Sequence, residues 1–310
     1  MAQTLELLTH RTETMRSIRG IVRTMKTMSA INARPYEQAA HAIEAYRETV
    51  LDGFHAFLHR NGPLPDEPDQ GAVPVIIAFG SDHGLCGNYN EVLAEEVALG
   101  MDDPQATRVI CVGAQMEDAL IGQGIPPEET LLPPATADGL ARLASSLITR
   151  LDAVRRSSAT GAITVSLVFM QRTAYGQQTP ETRRLLPLDP VLIGALAKRP
   201  WTSRSLPRFS LPPDRLLAAL IRSYLFADLY RAAAEALVTE NAARLARMSQ
   251  AEQSVDEQLE ALTAETRSVR QSEITTELLD VIIGFEALKD RDRRKKRREQ
   301  GAPASAENMG

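Results

Sequence analysis

Aromatic residues make up only 5% of a chain whose hydrophobic fraction is 44%. The apolar material is therefore mainly Ala, Leu, Val and Ile, a mixture that favours helices. Two cysteines occur, Cys86 and Cys111. Both fall in segments that read as buried α/β structure, which excludes a disulfide framework and fits a reducing compartment, the cytoplasm by default. No run of 18 apolar residues exists, so nothing reads as a bilayer span, although a peripheral seat on a membrane complex stays open. The opening MAQTLELLTHRTETMRSIRG has no continuous apolar stretch and no small-residue cleavage site, unlike a signal peptide. The net charge of −5 conceals an asymmetry: residues 289–310 carry eight Lys/Arg against four Asp/Glu, leaving −9 on the rest.

The most informative absence is local. From Asp214 to Ile283 there is neither Gly nor Pro, where average usage would place roughly eight. One continuous helix is the simplest reading, started by Pro212-Pro213-Asp214. At 1.5 Å per residue it would span roughly 105 Å, more than a small domain can cover. It must protrude or pair. Met248, Val255, Leu262 and Val269 recur at steps of seven, with Leu245 and Leu259 beside them, which predicts a coiled-coil seam. After Ile274 the pattern thickens to Leu278, Leu279, Val281, Ile282, Phe285 and Leu288, predicting last turns wrapped on more than one side.

Residues 3–58 read as a second helical region with Leu8, Met15, Val22 and Tyr36 on one stripe and Ile18 and Met25 beside it, the expected partner of the seam. Pro35 is expected to bend or interrupt it. Residues 10–34 hold six basic side chains and one acidic, a positive face. NGPLPDEPDQG (61–71) is a linker. VPVIIAF (73–79), TRVICVG (107–113) and AITVSLVFM (162–170) then read as buried strands alternating with helices near 88–99, 114–123 and 138–157. That β-α alternation predicts a parallel, Rossmann-like sheet with helices packed on it. The expected fold is thus α/β plus α: a coiled-coil helix over 1–60, an α/β side domain with linkers over 61–212, a coiled-coil helix over 213–288 and a disordered basic tail over 289–310.

Residues 80–88, GSDHGLCGN, invite enzymatic readings. A phosphate-binding turn needs GxGxxG, or GxxxxGK[ST] with its lysine; these glycines have other spacings and no lysine follows. Ser81, Asp82 and His83 are triad residue types, but adjacent positions do not align nucleophile, base and orienter. His55 and His59 stand one helical turn apart, with no Glu between them and no third ligand in sight, so packing or surface roles outweigh a metal site. The run KDRDRRKKRR (289–298) has no aromatic to stack on bases and reads as a solvated tail, not a nucleic-acid site.

Five segments, in order, carry a family likeness. Ile21-Val22-Arg23-Thr24-Met25-Lys26 is similar to I-T-K-A-M-K, and Gly84-Leu85-Cys86-Gly87-x-x-Asn90 matches GLCGxxN. Gln178-Thr179-Pro180 with Leu185-Leu186-Pro187-Leu188 is similar to QxP…LLPL. Glu240-Asn241-Ala242-Ala243-Arg244 with Met248 resembles SExxARMxAM, and Arg270 to Leu278 resembles RQxxITxEL. By these motifs the chain resembles, along nearly its whole length, the gamma subunit of F-type ATP synthases.

The resemblance implies a non-catalytic rotor shaft whose terminal helices form an antiparallel coiled coil. That coil lies inside a hexamer of alpha and beta subunits, and the side domain seats on the membrane c-ring with epsilon. There would be one copy per complex, no cofactor, no metal and no nucleic acid, at the cytoplasmic face of a bacterial inner membrane. Met25, Lys26, Arg244, Arg270, Gln271 and Thr275 match positions that face the acidic lever loops of the beta subunits. Gly84, Leu85, Cys86, Gly87 and Asn90 match a structural turn of the side domain. Departures from the pattern at Ala30–Pro35, at Phe285-Glu286-Ala287 and in the basic extension suggest a divergent branch, such as the alternate, sodium-linked bacterial type. No ion-binding carboxylate decides between proton and sodium. The rival readings are an α/β nucleotide-binding protein with helical arms and an unrelated coiled-coil adaptor.

Overall fold

The computed structural model describes residues 2–64, 71–173 and 177–300. The chain divides into two compact units, Thr24–Gln250 and Met1–Arg23 with Ala251–Gly310. In order, its elements are α1 (Ala2–Asn61), β1 (Val73–Phe79), α2 (Tyr89–Leu99), β2 (Arg108–Val112), α3 (Ala114–Gly122), β3 (Glu129–Leu131), α4 (Leu140–Ser157), β4 (Ile163–Arg172), β5 (Gln178–Leu186), α5 (Pro190–Lys198) and α6 (Pro213–Gln300).

The 24–250 unit is built on one sheet of order β3-β2-β1-β4-β5. β1 pairs in parallel with β2 and β4, β2 with β3, and β5 runs antiparallel to β4 at the edge. Because side chains alternate along a strand, β1 divides its residues between two cores. Val75, Ile77 and Phe79 join Val165, Leu167 and Phe169 of β4 under α4 and the inner turns of α1 and α6. Ile76 and Ala78 face the other way, with Cys111, Val168 and Met170, under α2 and α3. A strand buried on both faces reads as a continuous apolar run, which is why VPVIIAF was legible.

Two strands and one helix were not anticipated. β3 is three residues long, too short for any periodic signal. β5, QTPETRRLL, carries two arginines and Pro180, and it tolerates them because an edge strand leaves one row of backbone groups unpaired. α5 lies in the segment read as a Pro-rich return; Asp189 caps it by accepting from Val191 N at 2.8 Å, with Pro190 at its first position.

Pro35 lies inside α1, which runs unbroken from Ala2 to Asn61. The expected interruption is absent. Pro35 and Ile31, whose carbonyl loses its amide partner, are both exposed, so water can satisfy that carbonyl, while the next residue, Tyr36, is buried.

In the other unit α1 and α6 pair antiparallel. Arg23 Nε bonds Glu252 Oε1 at 2.7 Å, and Arg19 Nε lies 2.7 Å from Asp256 Oδ1. Each four-residue step back along α1 is thus a four-residue step forward along α6. The seam buries Leu8, Thr12, Val22 and Val255 and half-buries Met15, Leu262 and Val269, close to the predicted stripe. Continuing the register sets Ala2 beside residue 273, so α1 ends there. Glu273 is the last half-buried residue of α6 among those whose burial is described, and Ile274, Leu278, Leu279, Val281, Ile282, Phe285 and Leu288 are exposed. The expectation that these turns are wrapped is not met within the described residues, none of which covers them.

The helix also passes the predicted end at 288 and runs to Gln300. No Gly or Pro intervenes from Phe285 to Gln300, and Lys, Arg, Glu and Gln are good helix formers. The disordered-tail reading is thus corrected for 289–300; residues 301–310 lie outside the described residues, as do residues 65–70 of the linker.

Candidate functional site

The loop between β1 and α2 is the densest polar region of the 24–250 unit. Ser81 N donates to Asn90 Oδ1 at 2.9 Å, and Asn90 Nδ2 returns a bond to Ser81 Oγ at 2.8 Å. Cys86 Sγ sits 3.4 Å from that hydroxyl. The Ser81 amide, which a phosphate-binding turn would offer to a ligand, is thus satisfied from within. Gly87 has φ +73°, a conformation that favours glycine, and a Cβ there, 2.4 Å from Nε of the exposed Arg247, would have to push that flexible side chain aside. Gly84 is different: a Cβ there would meet nothing closer than 3.8 Å. Leu85 takes φ +68° without being glycine, and its side chain is 54% exposed.

The enzymatic readings of this segment dissolve in the geometry. Ser81 Oγ is buried against Asn90 and Cys86, while His83, 82% exposed, pairs with Asp82 at 3.3 Å. His55 and His59 flank Trp201, with His59 stacked at 5.1 Å between centroids and His55 Nε2 3.0 Å from the Arg199 carbonyl oxygen. Burial pushes the Cys86 thiol up, and the Cys111 thiol up to about 12, away from reactive thiolates.

One turn of α6 anchors this loop and the sheet. Tyr89 Oη donates to Ala236 O at 3.0 Å, Gln178 Nε2 to Thr239 O at 2.9 Å, and Thr239 Oγ1 lies 3.3 Å from Met170 O. A turn later, Arg244 Nη2 donates to Glu240 Oε1 at 2.6 Å and to His83 O at 3.0 Å, and Nε donates to Gly84 O at 3.3 Å. Burial raises the Glu240 carboxyl, opposed by Arg244. Sequence reasoning quoted Glu240 only as a motif letter; its spacing of four from Arg244 was the available signal.

The six residues matched to partner-facing positions fall into separate groups. Met25 and Lys26 are half-buried on α1, and Arg244 keeps only 12% of its side chain exposed, all within the 24–250 unit. Arg270, Gln271 and Thr275 belong to the other unit and are exposed on α6, with Thr275 Oγ1 donating to Gln271 O at 2.8 Å. The turn residues Gly84, Leu85, Cys86, Gly87 and Asn90 do come together, in the loop just described. Among the described residues no helix is long and apolar enough to cross a membrane, and no group of three or more His, Cys, Asp or Glu is arranged to hold a metal.

The architecture is a two-faced sheet domain preceded and followed in sequence by very long helices, with the glycine-rich loop after β1 closed by its own side chains. A family model described as ATP synthase matches residues 4–288. The chain belongs to the ATP synthase gamma-chain family and is a non-catalytic subunit. It is 28% identical over 305 residues to the ATP synthase gamma chain of Granulibacter bethesdensis, covering 92% of this chain and 99% of that one. With the gamma chain of Mycolicibacterium smegmatis it shares 26% over 313 residues, covering 93% and 99%. The fold matches a chain of the Euglena gracilis mitochondrial ATP synthase, in a structure of OSCP, F1 and c-ring, with a TM-score of 0.64 at 15% identity over all of both chains. A chain from the rotor of the same synthase matches with a TM-score of 0.59, covering 88% of this chain.

Proposed function

We propose that this chain is the central rotor shaft of an F-type ATP synthase, coupling ion-driven rotation of the c-ring to conformational cycling of the catalytic beta subunits. The observation that carries the reading is the end of α6. From Ile274 to Leu288 it exposes large apolar side chains on more than one side, covered by no other described residue of its own chain. An exposed apolar surface of that extent marks a site of association, and apolar side chains on more than one side call for a partner that wraps around the helix, a sleeve more than a flat groove. The sleeve is the ring of alpha and beta subunits; epsilon and the c-ring contact the side domain, at the cytoplasmic face of a bacterial inner membrane.

Met25, Lys26, Arg270, Gln271 and Thr275 meet the acidic lever loops of the beta subunits as these open and close. Arginine and glutamine suit a moving carboxylate because both donate hydrogen bonds over a range of approach directions. A rotor transmits work only by contacting the partner's states differently. The test is Arg270→Ala with Gln271→Ala in the whole complex: ATP synthesis falls at least several-fold while the purified subunit keeps its helical signal and melting point. Normal synthesis in the double variant, or a chain that purifies without alpha and beta subunits, refutes the reading.

A further inference from the structure

Arg244 was matched to a partner-facing position, yet its guanidinium is turned inward. Nη2 reaches Glu240 Oε1 and His83 O, and Nε reaches Gly84 O. Two successive carbonyls of the loop are thus tied to one planar group. Glu240, itself 5% exposed, holds that group in orientation from one turn earlier on the same helix. Immediately after the second tied carbonyl comes Leu85, the one non-glycine residue at positive φ among the described residues. A γ-branched side chain in the left-handed region is strained and persists where surrounding structure enforces it. Its neighbour Cys86 is 5% exposed while Leu85 is 54% exposed. The loop therefore turns a leucine outward and a cysteine inward, against the local backbone preference.

We infer that Glu240 and Arg244 form a latch that fixes the 83–87 loop with Leu85 presented to solvent, and that Arg244 affects coupling through this loop rather than by direct contact with a partner carboxylate. Arg244 is a positioning residue. The second half of the statement rests on the rotor reading; the first half does not. A lysine at 244 would keep the charge but could not bridge two carbonyls and Glu240 with a fixed fork. That difference separates a latch from a cation aimed at a partner.

The test has two arms. In the first, the purified full-length chain is labelled with 4,4′-dithiodipyridine, and the rates at Cys86 and Cys111 are read by peptide mass spectrometry. Cys111 is 0% exposed and lies on β2 beneath α3, so it reports general loosening. R244A and R244K are each expected to raise the Cys86 rate at least tenfold with Cys111 unchanged, and E240Q to raise it less. An unchanged Cys86 rate in R244A and R244K, or equal acceleration of both cysteines in every variant, overturns the latch. In the second arm the whole complex carries R244K or L85A, and ATP-driven ion pumping is compared with ATP hydrolysis. Loss of coupling in both variants supports transmission through the loop; normal coupling in R244K alongside a freed Cys86 keeps the latch and removes its role in the rotor. Failure of any complex to form with the unmutated chain would instead count against the rotor reading.

Discussion

One helix, α6, contains two stretches of similar length and opposite fate. No residue from 224 to 241 is exposed, and every residue from 274 to 291 is. In the first, Ala227, Ala232, Ala233, Ala234 and Ala236 are at most 3% exposed and let neighbouring elements approach on all sides. In the second, Ile, Leu, Val and Phe point outward. An isolated helix gains little from propensity alone, and most helical stability in proteins comes from packing. The inner stretch is held by its own chain; the outer stretch is an apolar surface that, on the rotor reading proposed above, other chains complete. Apolar content alone does not tell a core from an interface; what differs is whether the sequence supplies a partner.

Substitutions can break this contrast. The largest effect is expected at the ion pair in the inner stretch, where Arg47 Nε bonds the 1%-exposed Asp228 at 2.8 Å. Arg47→Met leaves a buried carboxylate unpaired and should cost about 3–5 kcal/mol in urea unfolding. A smaller effect comes with alkali. All six tyrosines lie in the 24–250 unit. Burial raises Tyr36, Tyr89 and Tyr230, and pushes Tyr224 up to about 12 from 10.0. A phenol raised in the folded state stabilises it fully below its unfolded value, and that contribution disappears as pH climbs through the folded one. Stability of this unit should therefore fall between about pH 10 and 12. Absorbance at 295 nm should show delayed, cooperative ionisation of these four phenols, and their independent titration near the ordinary phenol value would contradict the burial. The smallest effect on the chain itself is expected at its end: Leu278, Ile282 and Phe285 all changed to Ser should alter its unfolding free energy by less than about 0.5 kcal/mol per site. The same variant should no longer co-purify with alpha and beta subunits.

Much of this architecture was legible because it follows from simple periods. The absence of Gly and Pro from Asp214 to Ile283 announced α6, steps of seven announced the seam, and runs such as VPVIIAF announced central strands. β5 was not legible, since an edge strand needs little apolar content and two of its residues are arginine. The extent of α1 was legible, but the interruption expected at Pro35 is absent, because the Ile31 carbonyl that the proline strands is exposed and water can satisfy it. The candidate site was half visible. GLCGxxN pointed to the loop, but the role of Arg244 depends on which carbonyls it meets across 160 residues of sequence, a fact of tertiary structure. Glu240 went unassigned for the same reason.

The pairing of Arg19 with Asp256 and Arg23 with Glu252 has a consequence for how the molecule is made. The segment of α1 bearing Leu8 and Val22 leaves the ribosome more than 200 residues before the part of α6 that covers it. At elongation speeds of about 5–20 residues per second the interval is roughly ten to fifty seconds. Over that time the sheet domain can assemble from near neighbours, whereas the amino-terminal stripe waits uncovered. The coil can close only after the residues beyond 250 have been made, and nascent chains stalled before residue 250 should be the species that chaperones retain.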